Sequence, residues 1–230
     1  MNLLAVGANP KTDKSDKNSE YITAILHLLA HKISGKDLCG SSTEGCRQDC
    51  LIYQGRGKFS NVFKGRMRKS RMFIENRTLF MDTLTQDIEK LIRKCEKLGK
   101  KPAVRLNGTS DLPFENIKYN GKNIFELFPN VTFYDYTKNW KRDVSDIPNY
   151  SLTYSRSEKT EDRTLLRRVK TGQNVAVVFR SKDIPKVWKG LNVFNGDITD
   201  LRFLDPKNVI VGLYAKGSAK HNHTGFVVDC

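Results

Sequence analysis

The chain has 230 residues, enough for one large domain or two small ones around an internal core. No apolar run approaches the roughly 20 residues of a membrane span, and the opening MNLLAVGANPKTDKSDKNSEY turns polar too early for a secretory signal or an anchor, so a cytoplasmic protein with no membrane partner is expected. Forty Lys and Arg against 25 Asp and Glu leave a formal charge of +15, a field that attracts polyanions and nucleic acid above all.

Residues 1–20, polar and Lys-rich from residue 8, read as a flexible arm or loop. YITAILHLLAHKI (21–33) then reads as a buried strand, although its period alone does not exclude a helix. His27 and His31 lie four apart within it and are expected to be core or surface histidines. LCGSSTEGCRQDCLIYQGRG follows, with Cys39, Cys46 and Cys50 inside twelve residues. Directly after it comes a basic run, Arg56, Lys58, Lys64, Arg66, Arg68, Lys69 and Arg71, with no acid between Leu51 and Ile74. From Phe73 to Leu98 apolar residues recur at three- and four-residue steps and stop at Gly99, which predicts one helix with Cys95 on its core face.

Beyond Pro102 the pattern becomes six short apolar runs, AVRL (103–106), VTFYDY (131–136), YSLTYS (150–155), VAVVF (175–179), LNVFNG (191–196) and VIVGLYA (209–215). Candidate helices lie between some of them, at 124–128 and 160–169. Strands alternating with helices predict parallel βαβ units in a single α/β domain spanning 1–230. With the early strand they approach the eight of a TIM-like barrel, so a complete or partial (β/α) barrel is expected, with a doubly wound sheet as the alternative. The apolar runs end in polar clusters. Since α/β folds bind ligands at the carboxyl ends of their strands, Asn107, Asp111, Asp135, Tyr136, Tyr154 and Arg156 are candidate pocket residues.

Five cysteines cannot all pair, and a reducing compartment keeps thiols for metals or catalysis. On one helical turn Cys46 and Cys50 would share a side, and the small residues of GSSTEG would let Cys39 return to them while backbone N–H groups face the sulfurs. An iron–sulfur cluster, [4Fe–4S] before [3Fe–4S], is the expected cofactor, and zinc is the alternative because it takes the same ligand types. Three thiolates leave one iron of a cube without a local ligand. Cys230, His221, His223 or a small ligand could complete it.

LCGSSTEGCRQDCLIYQGRG, RMRKSRMF, VRLNGTSD, FYDYTKN, LTYSRSE, VAVVFR and VIVGLYAKG together resemble a family of tailed-bacteriophage proteins, from Lys11 to Val227. That family is similar in layout to radical S-adenosylmethionine (SAM) enzymes, with a cysteine triplet after the first strand of a TIM-like barrel. The resemblance implies that Cys39, Cys46 and Cys50 are cluster ligands in a protein of the infected bacterial cytoplasm. The spacing differs from the usual Cys-x3-Cys-x2-Cys, Asp49 stands where an aromatic residue is usual, and no Gly-Gly-Glu-like segment follows the second strand. Nucleic-acid binding through the run at 56–71 is therefore the expected function. A cluster-dependent enzyme acting at the barrel mouth is the alternative.

Overall fold

The computed structural model describes residues 1–7 and 10–230, with the side chains of residues 10, 11 and 13 left aside. The part of the predicted arm at residues 8 and 9 lies outside the described residues. Elsewhere in that arm, β1 (Leu4–Val6) pairs antiparallel with β2 (Tyr21–Leu26), and α1 (Pro10–Lys17) lies between them in the chain. α1 has almost no apolar residue to mark it in the sequence. It is tied to the sheet by Asp16, whose carboxylate accepts from the Thr23 N–H at 2.9 Å and the Thr23 hydroxyl at 2.8 Å.

After the cysteine segment, with α2 (Glu44–Gln48) and 3-10 turns at 51–53 and 55–58, come α3 (Ser60–Glu75) and α4 (Arg77–Lys97). The single helix expected from Phe73 to Leu98 is thus two. The break falls at Asn76, whose non-helical backbone (φ −140°, ψ 80°) stops α3 and whose side chain accepts from the Leu79 N–H at 3.0 Å to start α4. The remaining elements are β3 (Lys101–Arg105), α5 (Ile124–Leu127), β4 (Thr132–Thr137), β5 (Tyr150–Ser155), α6 (Asp162–Lys170), β6 (Val175–Phe179), β7 (Val187–Trp188), β8 (Leu191–Asn195), β9 (Ile210–Tyr214) and β10 (Val227–Val228). The expected early strand ends at Leu26, and the six later apolar runs are β3, β4, β5, β6, β8 and β9.

These strands form one mixed sheet in the order β1-β2-β3-β4-β5-β6-β9-β8-β7, with β10 beside the carboxyl half of β6. β2 to β6, β9 and β8 run parallel, whereas β1 and β7 add antiparallel edges. The sheet is not closed. From β2 to β6 each strand lies beside its predecessor in the chain, without the reversal of order that defines a doubly wound sheet.

Both faces are covered, as parallel sheets require, and alternate residues divide between them. Phe80, Leu84, Ile88 and Leu91 of α4 pack with Ala24, Leu26, Val104 and Phe133 on one face. Leu165 and Val169 of α6 extend that layer over Val175, Val177 and Phe179. Ala103 and Tyr134, the sequence neighbours of Val104 and Phe133, pack instead with Leu201 on the opposite face. Cys95 is buried in the α4 core, as its position on the apolar stripe predicts.

Candidate metal centre and cationic face

β2 ends at Leu26, and the chain reaches the cysteine loop beyond its carboxyl end. Two backbone contacts hold the loop there: Leu38 N–H donates to His31 O at 3.1 Å, and Asp111 N–H donates to Leu38 O at 2.8 Å. The Gly108 turn makes the approach possible, because a Cβ at this position would stand 2.5 Å from Ile25 Cγ2 and 2.7 Å from His27 Nδ1. Cys39 Sγ lies 3.7 Å from Thr109 O, and Cys46 is carried on α2. Cys50 opens the turn at 51–53.

α2 is held from two distant segments. Glu158, beyond β5, accepts from the Gly45 N–H at 3.0 Å and the Thr43 hydroxyl at 2.8 Å, capping the helix that its own N-cap residue leaves uncapped. Burial works to raise the Glu158 pKa, but these donors prevail and hold it below its ordinary value. On the other side Asp49, buried, accepts from Asn222 Nδ2 at 2.6 Å and from the Ser218 hydroxyl at 2.5 Å, while Asn222 Nδ2 also donates to Gly45 O at 3.1 Å. A Cβ on Gly45 would fall 2.2 Å from Thr224 Oγ1, so the C-terminal segment presses directly on α2.

All three thiols are free and half-buried. Burial pushes Cys39 up to about 12, and the proximity of Asp111, Cys50 and Cys46 adds to the shift. Cys46 and Cys50 are raised for the same first reason, opposed at Cys46 by Lys138 and Arg47 and at Cys50 by Arg66. The three groups are thus close enough to feel one another's charge, and cations favour the thiolate at Cys46 and Cys50 but not at Cys39. Arg66 turns inward from α3, and its Nη1 is buried without a partner. His27 Nδ1 is likewise buried and unpartnered. Burial, then Arg66, Arg105 and Lys69, lower the His27 pKa to about 3, so the ring is neutral. Lys138, also lowered by burial but supported by Cys46, Asp111 and Glu158, donates to the Ser155 hydroxyl at 2.6 Å.

Among the described residues no group of three His, Cys, Asp or Glu side chains is arranged to hold a metal ion. A lone zinc draws its sulfur ligands to about 2.3 Å from one centre, whereas a cluster spreads the same thiolates over several irons. The donor chemistry here, three soft thiols with the unpartnered Arg66 Nη1 on the Cys50 side, fits a negatively charged cluster. Of the proposed fourth ligands, His221 and His223 are exposed, and Asn222 between them is the side chain that reaches the loop. Cys230 is exposed and rests its sulfur 3.7 Å from Asp183 O.

The candidate pocket residues are only partly brought together. Asn107 donates to Asp135 from its backbone at 2.7 Å and its amide at 3.2 Å, and Tyr150 donates its hydroxyl to the same carboxylate. Asp111 accepts from the Thr137 hydroxyl and the Lys138 N–H, both at 2.8 Å, and from Arg142 at 3.0 Å. These residues tie strand ends to one another. Tyr136, adjacent to Asp135 and so on the other face of β4, lies under the Arg105 guanidinium at 4.8 Å. Tyr154 is buried against Trp140, and Arg156 anchors the C-terminal segment through Gly225 O at 2.7 Å. Lys138 and Glu158 were missed as site residues, although Lys138 stands in the polar cluster after β4.

The basic run divides by helix face. Lys64, Arg68 and Arg71, at three- and four-residue steps, are exposed along α3, and Lys58 is exposed just before it. Among the described residues no ion pair engages these four. Arg56 is also exposed, whereas Arg66 and Lys69 are half-buried and Lys69 donates to Leu3 O at 2.6 Å. Phe73, one of the run's flanking aromatics, is core. Among the described residues no helix is long and apolar enough to cross a membrane.

A family model described as gene product 88 matches residues 2–230, essentially the whole chain. No curated protein and no solved structure matches it.

Proposed function

The chain belongs to the gene product 88 family, a family of bacteriophage type, and from that premise we propose that it is a phage-encoded iron–sulfur protein that binds nucleic acid in the host cytoplasm. One observation carries this reading: α3 presents Lys64, Arg68 and Arg71 to solvent without counterions and turns Arg66 inward toward Cys50 with a buried nitrogen unpartnered. The outward cations suit a phosphate backbone, whose binding rests on neutralised phosphates and released counterions. The inward one suits an anionic cluster held by Cys39, Cys46 and Cys50. The open sheet, with β2 to β6 in chain order, is read as a partial (β/α) barrel bearing the cluster at its carboxyl rim.

When bound, such a cluster would supply either an electron-transfer centre or a Lewis-acidic iron. The chain's own residues do the rest. Glu158 and Asp49 fix α2, the small residues of the loop allow close approach, and Lys138, Arg47 and Arg66 offset thiolate charge. Metal binding must displace three protons from thiols whose burial raises their pKa, so loading is expected to improve as pH rises.

Two measurements test the proposal. Anaerobically purified protein should contain iron and sulfide and absorb in the visible, and replacing Cys46 by Ser should remove both; colourless protein with one zinc refutes the cluster. Fluorescence anisotropy with labelled oligonucleotides should show affinity falling with salt, and removing Lys64, Arg68 and Arg71 together should lower the slope of log K against log salt by about 2 to 3. Salt-indifferent binding refutes the nucleic-acid role.

A second reading, a radical-SAM-like or other cluster-dependent enzyme, is favoured by Lys138, a half-buried amine set between Cys46 and the ends of β4 and β5. SAM cleavage by reconstituted protein above background would establish it over the first.

A further inference from the structure

Immediately before α3, the turns at 51–53 and 55–58 fold back on themselves. Gly57 permits this, since a Cβ there would stand 2.4 Å from Ile52 O. The fold-back opens a groove of about 510 Å³ lined by Tyr53, Gly57, Lys58, Ser60, Phe63 and Lys64. Tyr53 is 50% exposed, and among the described residues its hydroxyl has no hydrogen-bond partner; Phe59, beside the groove, is 60% exposed. Lys58 and Lys64 rise from the same walls and, among the described residues, have no acid to pair with. Exposed aromatic faces set between cations are the combination that stacks bases and holds phosphates in single-strand binding sites.

We propose that this groove receives an unpaired base, so that the protein's partner is single-stranded nucleic acid, RNA or DNA, with its phosphates running along Lys64, Arg68 and Arg71. The inference rests on the nucleic-acid reading above and narrows it. A duplex already stacks its bases on one another and offers only phosphates and groove edges to a surface helix. A single strand offers free base faces, and Tyr53 and Phe63 supply the platform for one. The three α3 cations follow at one-turn intervals over about 10 Å of helix, so a short stretch of backbone can stay in contact while its base occupies the groove.

The test is fluorescence anisotropy with a single-stranded RNA, a single-stranded DNA of the same sequence and the corresponding duplex, using the full chain and its Tyr53→Ala and Tyr53→Phe variants. Tyr53 is exposed, so these variants should keep the wild-type melting temperature. At least one single strand should bind about tenfold or more tighter than the duplex, and Tyr53→Ala should weaken it by about tenfold, the worth of one stacked base, while leaving duplex affinity unchanged. Tyr53→Phe should retain the affinity, because the ring and not the hydroxyl does the stacking. The ratio of RNA to DNA affinity identifies the sugar. Duplex binding equal to or tighter than both single strands, or a Tyr53→Ala variant indistinguishable from wild type, overturns the groove assignment and leaves the nucleic-acid role standing. Absence of binding to all three removes both.

Discussion

Asp49 offers the sharpest test of how the cysteine loop is held. Its buried carboxylate joins α2 to a segment 169 to 173 residues away, accepting from Ser218 Oγ at 2.5 Å and Asn222 Nδ2 at 2.6 Å. In Asp49→Ala both bonds are lost, but each partner keeps another: Asn222 still donates to Gly45 O, and Ser218 still accepts from Gln54 at 2.6 Å. The cost should therefore lie at the low end for hydrogen bonds to a charged group, about 1.5 kcal/mol each and about 3 kcal/mol together. For a chain of this length that is a fall in Tm of about 6 to 12 °C. Asp49→Asn, which keeps one acceptor, should fall between. The same loss leaves Asn222 to Gly45 O as the remaining side-chain bond from this segment to α2 and loosens the C-terminal end of the helix, so Cys46 and Cys50 should react faster with a thiol reagent in metal-free protein while Cys95 stays slow. Differential scanning fluorimetry and thiol-labelling kinetics measure the two effects. A Tm within about 2 °C of wild type, with unchanged labelling, would refute the claim that this carboxylate fastens the loop.

Arg142 is buried, with Nε and Nη2 each 2.8 Å from Glu115, Nη1 3.0 Å from Asp111 and Nη2 also 2.9 Å from the Tyr150 hydroxyl. Arg142→Ala would leave Glu115 without its bidentate partner and Asp111 with only Thr137 and Lys138 to face it, and should lower unfolding stability by about 3 kcal/mol in urea titration, with Arg142→Lys recovering little because the bidentate fork is lost. Acid stability follows from His27: its pKa is near 3 when folded and about 6.5 when unfolded, so the unfolded chain binds the extra proton between those values. Stability from this group is complete above about pH 6.5 and is lost as pH falls toward 3, so His27→Gln should flatten the decline of the urea midpoint, with Arg66, Arg105 and Lys69 remaining charged throughout. Asp135 acts oppositely. Burial raises it to about 6, its contribution favours the folded state at low pH and fades as pH rises from about 4 to 6, and Asp135→Asn should steepen the acid decline.

The strands were legible because a parallel sheet buried on both faces needs short, dense apolar runs, and VAVVF or VIVGLYA have no other use. α4 was legible as one apolar stripe. Its separation from α3 was not, because Asn76 breaks the helix without interrupting the spacing between Phe73 and Phe80. α1 was hidden for the opposite reason: PKTDKSDK has no apolar face, and its place comes from Asp16 bonding to Thr23. β7 and β10, two residues each, are too short to carry a period. At the site, the period of two could have separated Asp135 from Tyr136, since neighbours in a strand face opposite sides.

By itself the sequence determined the local chemistry: three thiols in twelve residues, a run of cations free of acids, and the apolar strings that must pair. Such features are set by covalent neighbours and survive in any fold. The tertiary structure alone decided which of those groups meet. It placed Arg66 inward beside Cys50 and Lys64 outward, two residues apart in the chain but on different faces of one helix. It also brought Glu158, Ser218 and Asn222 to the cysteine loop from more than a hundred residues away. Burial and Coulomb interaction act through space, and distance along the chain does not encode them.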